Sequence, residues 1–520
     1  MPPRPSPPLE LNGRSLTLEA TEAVACGGRQ VALAAEAVLG MERARAVVEQ
    51  ALRSDTAVYG VNTGLGRLSD IRIPADHILE LQVNLLRSHA CGVGPELPPP
   101  VVRAMMVLRA NSLAKGHSGV RPVVVERLCA LLNAGITPVV PGRGSVGASG
   151  DLAPLAHLAL VLIGEGQARH WRPGEGEAIA GEVLMGKEAL RSAGFEPLRL
   201  EAKEGLSLLN GTQGMLAVGA LALLRAERLL DSADVVGALT VEALRGTPVA
   251  FDPRLQAVRP HPGQAAVAGN LRRLMADSEI RESHRDCGRV QDAYSLRCMP
   301  QVHGAAREVL AEARRIFTIE ANAAVDNPLV VWDEGGAAEI LSGGNFHGQP
   351  LAFALDQMAV ALAALSGISE RRLERMVNPA LSEGLPAFLA AQPGLHSGMM
   401  MAQVTAAALV AECRGLSHAA SVGSITTSGN KEDFVSMGMG AALKLRQVVE
   451  NTGQVLGIEA IAAAEALDLL APMRPGVKLR TAQAAIRERV PRLERDRVLA
   501  GDFARAAELI SSGDLSPLLA

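Results

Sequence analysis

The densest chemistry in the sequence lies at Pro141-Gly-Arg-Gly-Ser-Val-Gly-Ala-Ser-Gly-Asp151, a glycine-rich run ahead of the apolar stretch 152–163. In Ala148-Ser149-Gly150 the amide nitrogen of Gly150 is unhindered, and a tight bend lets it attack the carbonyl carbon of Ala148. Loss of one water closes a five-membered ring, and loss of the Ser149 hydroxyl leaves an exocyclic methylene. Flanking glycines supply the unusual dihedrals such a bend needs. The product is an electrophile, which none of the twenty side chains provides. Other readings compete. Gly142-x-Gly144-x-x-Gly147 is formally a G-x-G-x-x-G pattern with Glu165 roughly 20 residues further on. A dinucleotide site also needs a preceding strand and repeated βα units, and 136–140 is a poor strand ended by Pro141. A G-x-S-x-G elbow fails because Asp151 stands two residues beyond Ser149. A plain glycine-rich turn with Asp151 as helix N-cap remains open.

Only two tyrosines occur, Tyr59 and Tyr294, and both fall in glycine-rich or polar motifs rather than in apolar helices. A phenol kept at two irregular positions suits proton transfer or hydrogen bonding; two ordinary turn tyrosines are the alternative. Arg297 has apolar neighbours Leu296, Cys298 and Met299, and a guanidinium is the natural bidentate clamp for a carboxylate. There is no H-E-x-x-H, no paired cysteine and no P-loop, and the eleven histidines are dispersed, so neither a metal nor a nucleotide is expected.

The elements that hold these groups follow from composition and period. The chain has 520 residues, 48% hydrophobic and only 2% aromatic, which argues against an all-β fold and against general disorder. Lys plus Arg is 51 against 55 for Asp plus Glu, a net charge of −4 that gives no electrostatic footprint for nucleic acid or anionic membrane. Six scattered cysteines without a secretory leader suggest free thiols in a reducing compartment, and a cytoplasmic protein. The apolar run at 152–163 is too short to span a bilayer, and the start MPPRPSPP reads as a frayed tail. Up to about residue 200 short helices, at 75–88 and 100–114, alternate with turns, and 164–186 reads as a surface excursion or hairpin. Beyond it, periods near 3.6 run through 214–244, 301–324, 351–376, 398–416 and 435–470. Long helices apolar over much of their circumference belong in a bundle. The expected architecture is mainly α: a mixed α+β N-terminal domain, 1–205, carrying the glycine loop, and a long-helix bundle domain, 206–520.

Eight collinear motifs carry a resemblance. Gly147-Ala-Ser-Gly-Asp151 resembles the prosthetic-group loop of the aromatic amino-acid ammonia-lyases, whose electrophile is methylidene-imidazolone. The others are Tyr59-Gly-Val-Asn-Thr-Gly64, Ser88-His-Ala-Cys-Gly-Val-Gly94, Leu209-Asn-Gly-Thr-Gln213, Gln291-Asp-Ala-Tyr-Ser-Leu-Arg297 with Asp326-Asn-Pro328, Gly343-Gly-Asn-Phe-His347 and Lys431-Glu-Asp-Phe-Val-Ser-Met437. The likeness spans roughly residues 16–470 and implies the fumarase/aspartase-like helical fold, with methylidene-imidazolone formed from Ala148-Ser149-Gly150. It further implies a homotetramer acting on a small amino acid, with active sites drawn from three subunits. Tyr59 resembles the base that removes the β-proton, although a phenol of ordinary pKa about 10 must be helped to ionise. Arg297 resembles the carboxylate clamp. Asn210, Gln291 and Tyr294 resemble the residues that orient the amine and the electrophile, and Phe346 the aromatic wall.

Ser88-His89 and Glu432 are similar to the residues of family members that act on histidine and give urocanate, the first step of histidine degradation. An imidazole substrate wants hydrogen-bond partners, which a histidine and a carboxylate supply. Taken singly, His89 could be a satisfied core histidine, and Glu432 half of a surface pair with Lys431. Lys431, Phe434, His396 and Met399 depart from the usual pattern, and a cation beside Glu432 would partly neutralise it. Tyrosine or phenylalanine lyases, aminomutases of the same family and a non-catalytic helical scaffold are the alternatives.

Overall fold

All five stretches of 3.6-residue period are helices: Gln213–Ala243, Met299–Ala321, Gln349–Val377, Met400–Leu416 and Gly438–Leu469. The last starts later than its apolar pattern because Met437 sits at φ 58°, outside helical space. In this computed structural model the described residues are 7–54, 57–177, 179, 181–285 and 287–520; most of the proline-rich start, residues 1–6, lies outside them. The chain is mainly helical, and its strands are short.

Two units emerge, each discontinuous in sequence. The first comprises Met1–Leu221, Arg314–Leu355 and Ala419–Leu443; the second comprises Ala222–Ala313, Asp356–His418 and Lys444–Ala520. The sequence suggested a single division at 205/206, whereas these units are interleaved.

The first unit holds the mixed α and β structure. The expected hairpin at 164–186 is present as Gln167–His170 paired antiparallel with Leu184–Met185, and Gln167–His170 also pairs with Ile136–Pro138. The G-x-G-x-x-G pattern begins on a strand, Pro141–Arg143, that pairs antiparallel with Val93–Glu96. That pairing is unlike the parallel βα unit a dinucleotide site requires. Behind it the helix Pro99–Ala114 is buried along its whole length, with proline in its first turn where no N–H is needed. Within it Arg103 donates to the carbonyls of Val24, Ala25 and Leu132 and lies 4.2 Å from the Trp171 ring.

The second unit is all helical among the described residues and is pinned by a buried polar hub. Arg372 donates to both oxygens of Glu459 at 2.5 and 2.8 Å, and both side chains are fully buried. Thr240 and Ser369 donate to the same carboxylate at 2.7 and 2.5 Å. His303 lies between Arg372 and Asp234, with its Nδ1 2.8 Å from the carboxylate. Asp234 also accepts from Asn270 and Arg307, and although burial opposes it, Arg307 and His303 hold its carboxyl below the usual range.

Gln349–Val377 is long and apolar enough to cross a membrane by length and composition, which the stretch 152–163 is not; 56% of its most apolar window is buried. Isolated polar residues such as Asp356 and Gln357 break up the run by eye without lowering its mean hydropathy below the spanning range.

Candidate active site

The loop around Ser149 is sharply bent. Ser149 has φ 51°, and Gly147 and Gly150 both have φ 80°, a region that costs a residue with a side chain about 1 kcal/mol or more. A Cβ at Gly150 would collide with the carbonyl of Gly211, so only glycine lets the two strands of backbone approach. The loop is fixed from three sides. The Asp151 N–H donates to Gly211 O at 2.7 Å, the Met437 N–H donates to Val146 O at 2.8 Å, and the Gly147 N–H donates to Ser145 Oγ at 3.1 Å.

Asp151 precedes the helix Leu152–Leu162 but makes no side-chain cap to it. Its carboxylate accepts from Ser145 Oγ at 2.8 Å and from the Met215 N–H at 2.7 Å, in the first turn of Gln213–Ala243. It therefore caps a helix distant in sequence. Burial lifts its pKa to about 6, against the hydrogen bonds from Met215, Ser145 and Gly214.

Ser149 opens onto a cavity of about 640 Å³ that also brings together Tyr59, His89, Asn210 and Glu432. Ala148 is half-buried and Gly150 buried beside it. One wall is the helix Ile78–His89, whose residues Leu81, Asn84, Leu85, Ser88 and His89 face the cavity at helical spacing. Asn84, Arg67 and Ser428 line the cavity too and were not singled out from the sequence; for Asn84 the signal was its place one turn before Ser88. Most of the remaining lining is leucine and isoleucine, so the polar groups work against an apolar background.

The polar groups are arranged with care for their free valences. His89 Nδ1 lies 2.8 Å from Leu85 O, so this nitrogen carries the hydrogen and Nε2 is left as an acceptor. Glu432 accepts from Ser149 Oγ at 2.8 Å through Oε1, and from Thr427 and Ser428 at 2.8 and 2.6 Å through Oε2. Lys431 is exposed and makes no ion pair with Glu432 among the described residues. Asn210 is 2% exposed; its Nδ2 donates to Asn327 O at 3.3 Å, and its buried Oδ1 has no partner. Tyr59 is half-buried, and burial raises its pKa; a backbone hydrogen bond from Gly66 opposes this, and the charges of Glu432 and Asp326 add to it.

Four sequence-derived site residues lie elsewhere. Phe346 is half-buried and does not line this cavity. Gln291, Tyr294 and Arg297 belong to the second unit. There Gln291 and Arg297 line a separate cavity of about 520 Å³, and Tyr294, 71% exposed, has its ring 4.6 Å from the Arg297 guanidinium. Arg297 Nε is buried without a hydrogen-bond partner. Neither unit by itself brings these three to Ser149. Among the described residues no group of three His, Cys, Asp or Glu side chains is placed to hold a metal ion.

A mainly helical chain with a phenol, an imidazole and a carboxylate gathered about a strained serine fits a carbon–nitrogen lyase. The chain belongs to the aromatic amino acid lyase family, whose family model matches residues 16–488. It is 58% identical to a histidine ammonia-lyase from Koribacter versatilis (strain Ellin345), over 98% of both chains. Among solved structures it is similar to histidine ammonia-lyase from Trypanosoma cruzi, with 41% identity, a TM-score of 0.89 and coverage of 99% of this chain and 95% of that one. It is nearly as similar to tyrosine aminomutase from Streptomyces globisporus, with 40% identity, a TM-score of 0.90 and 98% coverage of each chain.

Proposed function

We propose that this chain eliminates ammonia from L-histidine to give urocanate, using methylidene-imidazolone formed from Ala148-Ser149-Gly150. The observation that carries the reading is the cavity that gathers Ser149, Tyr59, His89, Asn210 and Glu432. The residues fit the group: Ser149 and Gly150 already hold the left-handed dihedrals of a sharp bend, and the orphaned Oδ1 of Asn210 marks a buried acceptor at the same cavity. When formed, the group supplies an electrophile that turns the substrate amine into a leaving group.

The side chains divide the remaining work. Tyr59 takes the β-proton as a phenolate. His89 Nε2 accepts from the substrate imidazole N–H. Glu432 Oε1 loses its present donor when the Ser149 hydroxyl leaves, and then accepts the second N–H of the substrate side chain, which binds as an imidazolium. Asn210 orients the amine. Arg297 clamps the carboxylate, with Gln291, Tyr294 and Phe346 completing the site when chains assemble as a homotetramer. Support for assembly comes from exposed apolar side chains on long helices, among them Val360, Met401 and Val404. Six cysteines that form no disulfide among the described residues support work in a reducing, cytoplasmic setting.

The similarity to a tyrosine aminomutase favours one second reading, an enzyme of tyrosine. The test is turnover of histidine against tyrosine and phenylalanine, with products identified. We expect histidine to be converted to urocanate and ammonia in preference. Glu432→Gln should slow histidine turnover by roughly ten- to a hundred-fold, the equivalent of one lost buried partner. Faster conversion of tyrosine by the wild type, or a β-amino acid product, would overturn the assignment.

A further inference from the structure

Behind the cavity lies a buried cluster, Lys203, Ser207, Asp326 and Arg109, that the chemistry above leaves unused. Lys203 is fully buried and held at φ 71°. Its ammonium donates to Asp326 Oδ2 at 2.8 Å and to Ser207 Oγ at 2.9 Å, and Ser207 donates to the same carboxylate oxygen at 2.8 Å. Arg109 donates to Gln213 Oε1 at 3.0 Å and to the Ser207 carbonyl. An ion pair this deep is a weak source of stability by itself, because desolvation offsets its attraction.

The pair is connected forward to the site. Asp326 Oδ1 accepts the Asn327 N–H at 2.7 Å. Asn327 in turn accepts from the Asn210 amide through its carbonyl, and from the Gly343 N–H through Oδ1 at 2.7 Å. Pro328 follows, and Gly60 packs so closely on Pro328 and Leu206 that a Cβ there would collide with the Leu206 side chain. The turn Asp326-Asn-Pro328 thus touches both Asn210 and the residue after Tyr59.

We infer that Lys203 and Asp326 are positioning residues for the reaction: together they fix the turn that holds Asn210 and the Tyr59-Gly60 corner, and Lys203 cancels a carboxylate charge that would oppose a phenolate at Tyr59. The charges facing Tyr59 are Glu432 and Asp326, both unfavourable to the phenolate, as is burial, while the Gly66 backbone hydrogen bond favours it. Those facing Asp326 are Lys203 and Arg109, which keep its carboxyl below the ordinary range against burial. Lys203 is itself lowered by burial, with Asp326 opposing and Arg109 adding to the shift.

The inference rests on Tyr59 as the base, and its test reads Tyr59 without turnover. With Tyr294→Phe, Tyr59 is the only tyrosine left, and its ionisation can be followed alone by near-ultraviolet tyrosinate absorbance. In that background Lys203→Met should move the Tyr59 titration upward by about 1 pH unit. Asp326→Asn should move it downward, and the double variant Lys203→Met/Asp326→Asn should return to the parent position or below it. With Tyr294 restored, Lys203→Met should lower kcat at least about tenfold with KM changed less, and shift the rising limb of kcat/KM to higher pH. If Lys203→Met does not fold, Asp326→Asn and the double variant decide. Superimposable Tyr59 titrations across the variants would overturn the inference. Full turnover by Tyr59→Phe would instead remove Tyr59 as the base, and leave the titrations to stand separately.

Discussion

Ser149 and Asp151, two residues apart, are treated very differently by the same fold. Ser149 is strained, half-buried and bonded to a carboxylate that faces the cavity. Asp151 is fully buried and satisfied by a serine hydroxyl and a helix N-terminus. The sharp bend at Ala148-Ser149-Gly150 was legible because glycine flanking restricts what such a loop can be. The partner of Asp151 was not: a carboxylate before an apolar helix reads as that helix's own cap, and only folding brings Met215 to it. The elevated pKa has a defined consequence. The folded carboxyl keeps its proton up to about pH 6, against an ordinary value of 3.8, so the folded state binds more protons than the unfolded one between these limits. Stability therefore falls as pH rises from about 4 to about 6 and is flat above. Relative to Asp151→Asn, the wild type should lose on the order of 3 kcal/mol across that window, read from thermal unfolding at several pH values. A pH-independent difference between the two proteins would contradict the burial argument.

At the scale of elements, periodicity located five long helices to within a few residues, though not the 18-residue helix Ala35–Leu52, because a 3.6 repeat sustained over four or more turns matches the α-helix and neither the strand nor the turn. What period alone could not show is which polar residues lie inside. Arg372, Glu459, His303 and Asp234 sit on helices whose patterns look like mixed faces, yet all four are buried and bonded to one another. Nor could it assign Lys203, whose buried partner Asp326 lies 123 residues further on. The hub makes a prediction for its helices. Arg372→Met leaves the Glu459 carboxylate buried with only the Thr240 and Ser369 donors, and should cost about 3–5 kcal/mol of stability. Adding Glu459→Gln should recover part of that loss, measured as a partial return of Tm. A double variant no more stable than the single one would show that packing around Arg372, not the uncompensated charge, dominates.

At the scale of the whole molecule, one chain leaves the site residues in two groups, with Ser149, Tyr59, His89, Asn210 and Glu432 in one unit and Gln291, Tyr294 and Arg297 in the other. Sequence motifs show that residues belong to a common chemistry but not which chain delivers each of them. If assembly joins the groups across chains, Ser149→Ala and Arg297→Ala proteins, each inactive alone, should regain part of the activity when co-expressed, since some mixed sites receive an intact copy of both residues. Mixed oligomers, verified by two different tags, that stay as inactive as the parents would place both residues within one chain, and a monomer in sedimentation would remove the premise.

Whether the protein makes its own electrophile at Ser149 is read most directly from the mass of the peptide containing residues 148–150 from purified, active protein. Ring closure and dehydration predict a mass lower than the sequence value by two waters in the wild type, and an unmodified mass with no turnover in Ser149→Ala. A wild-type enzyme that converts its substrate while that peptide keeps its full sequence mass would contradict the account.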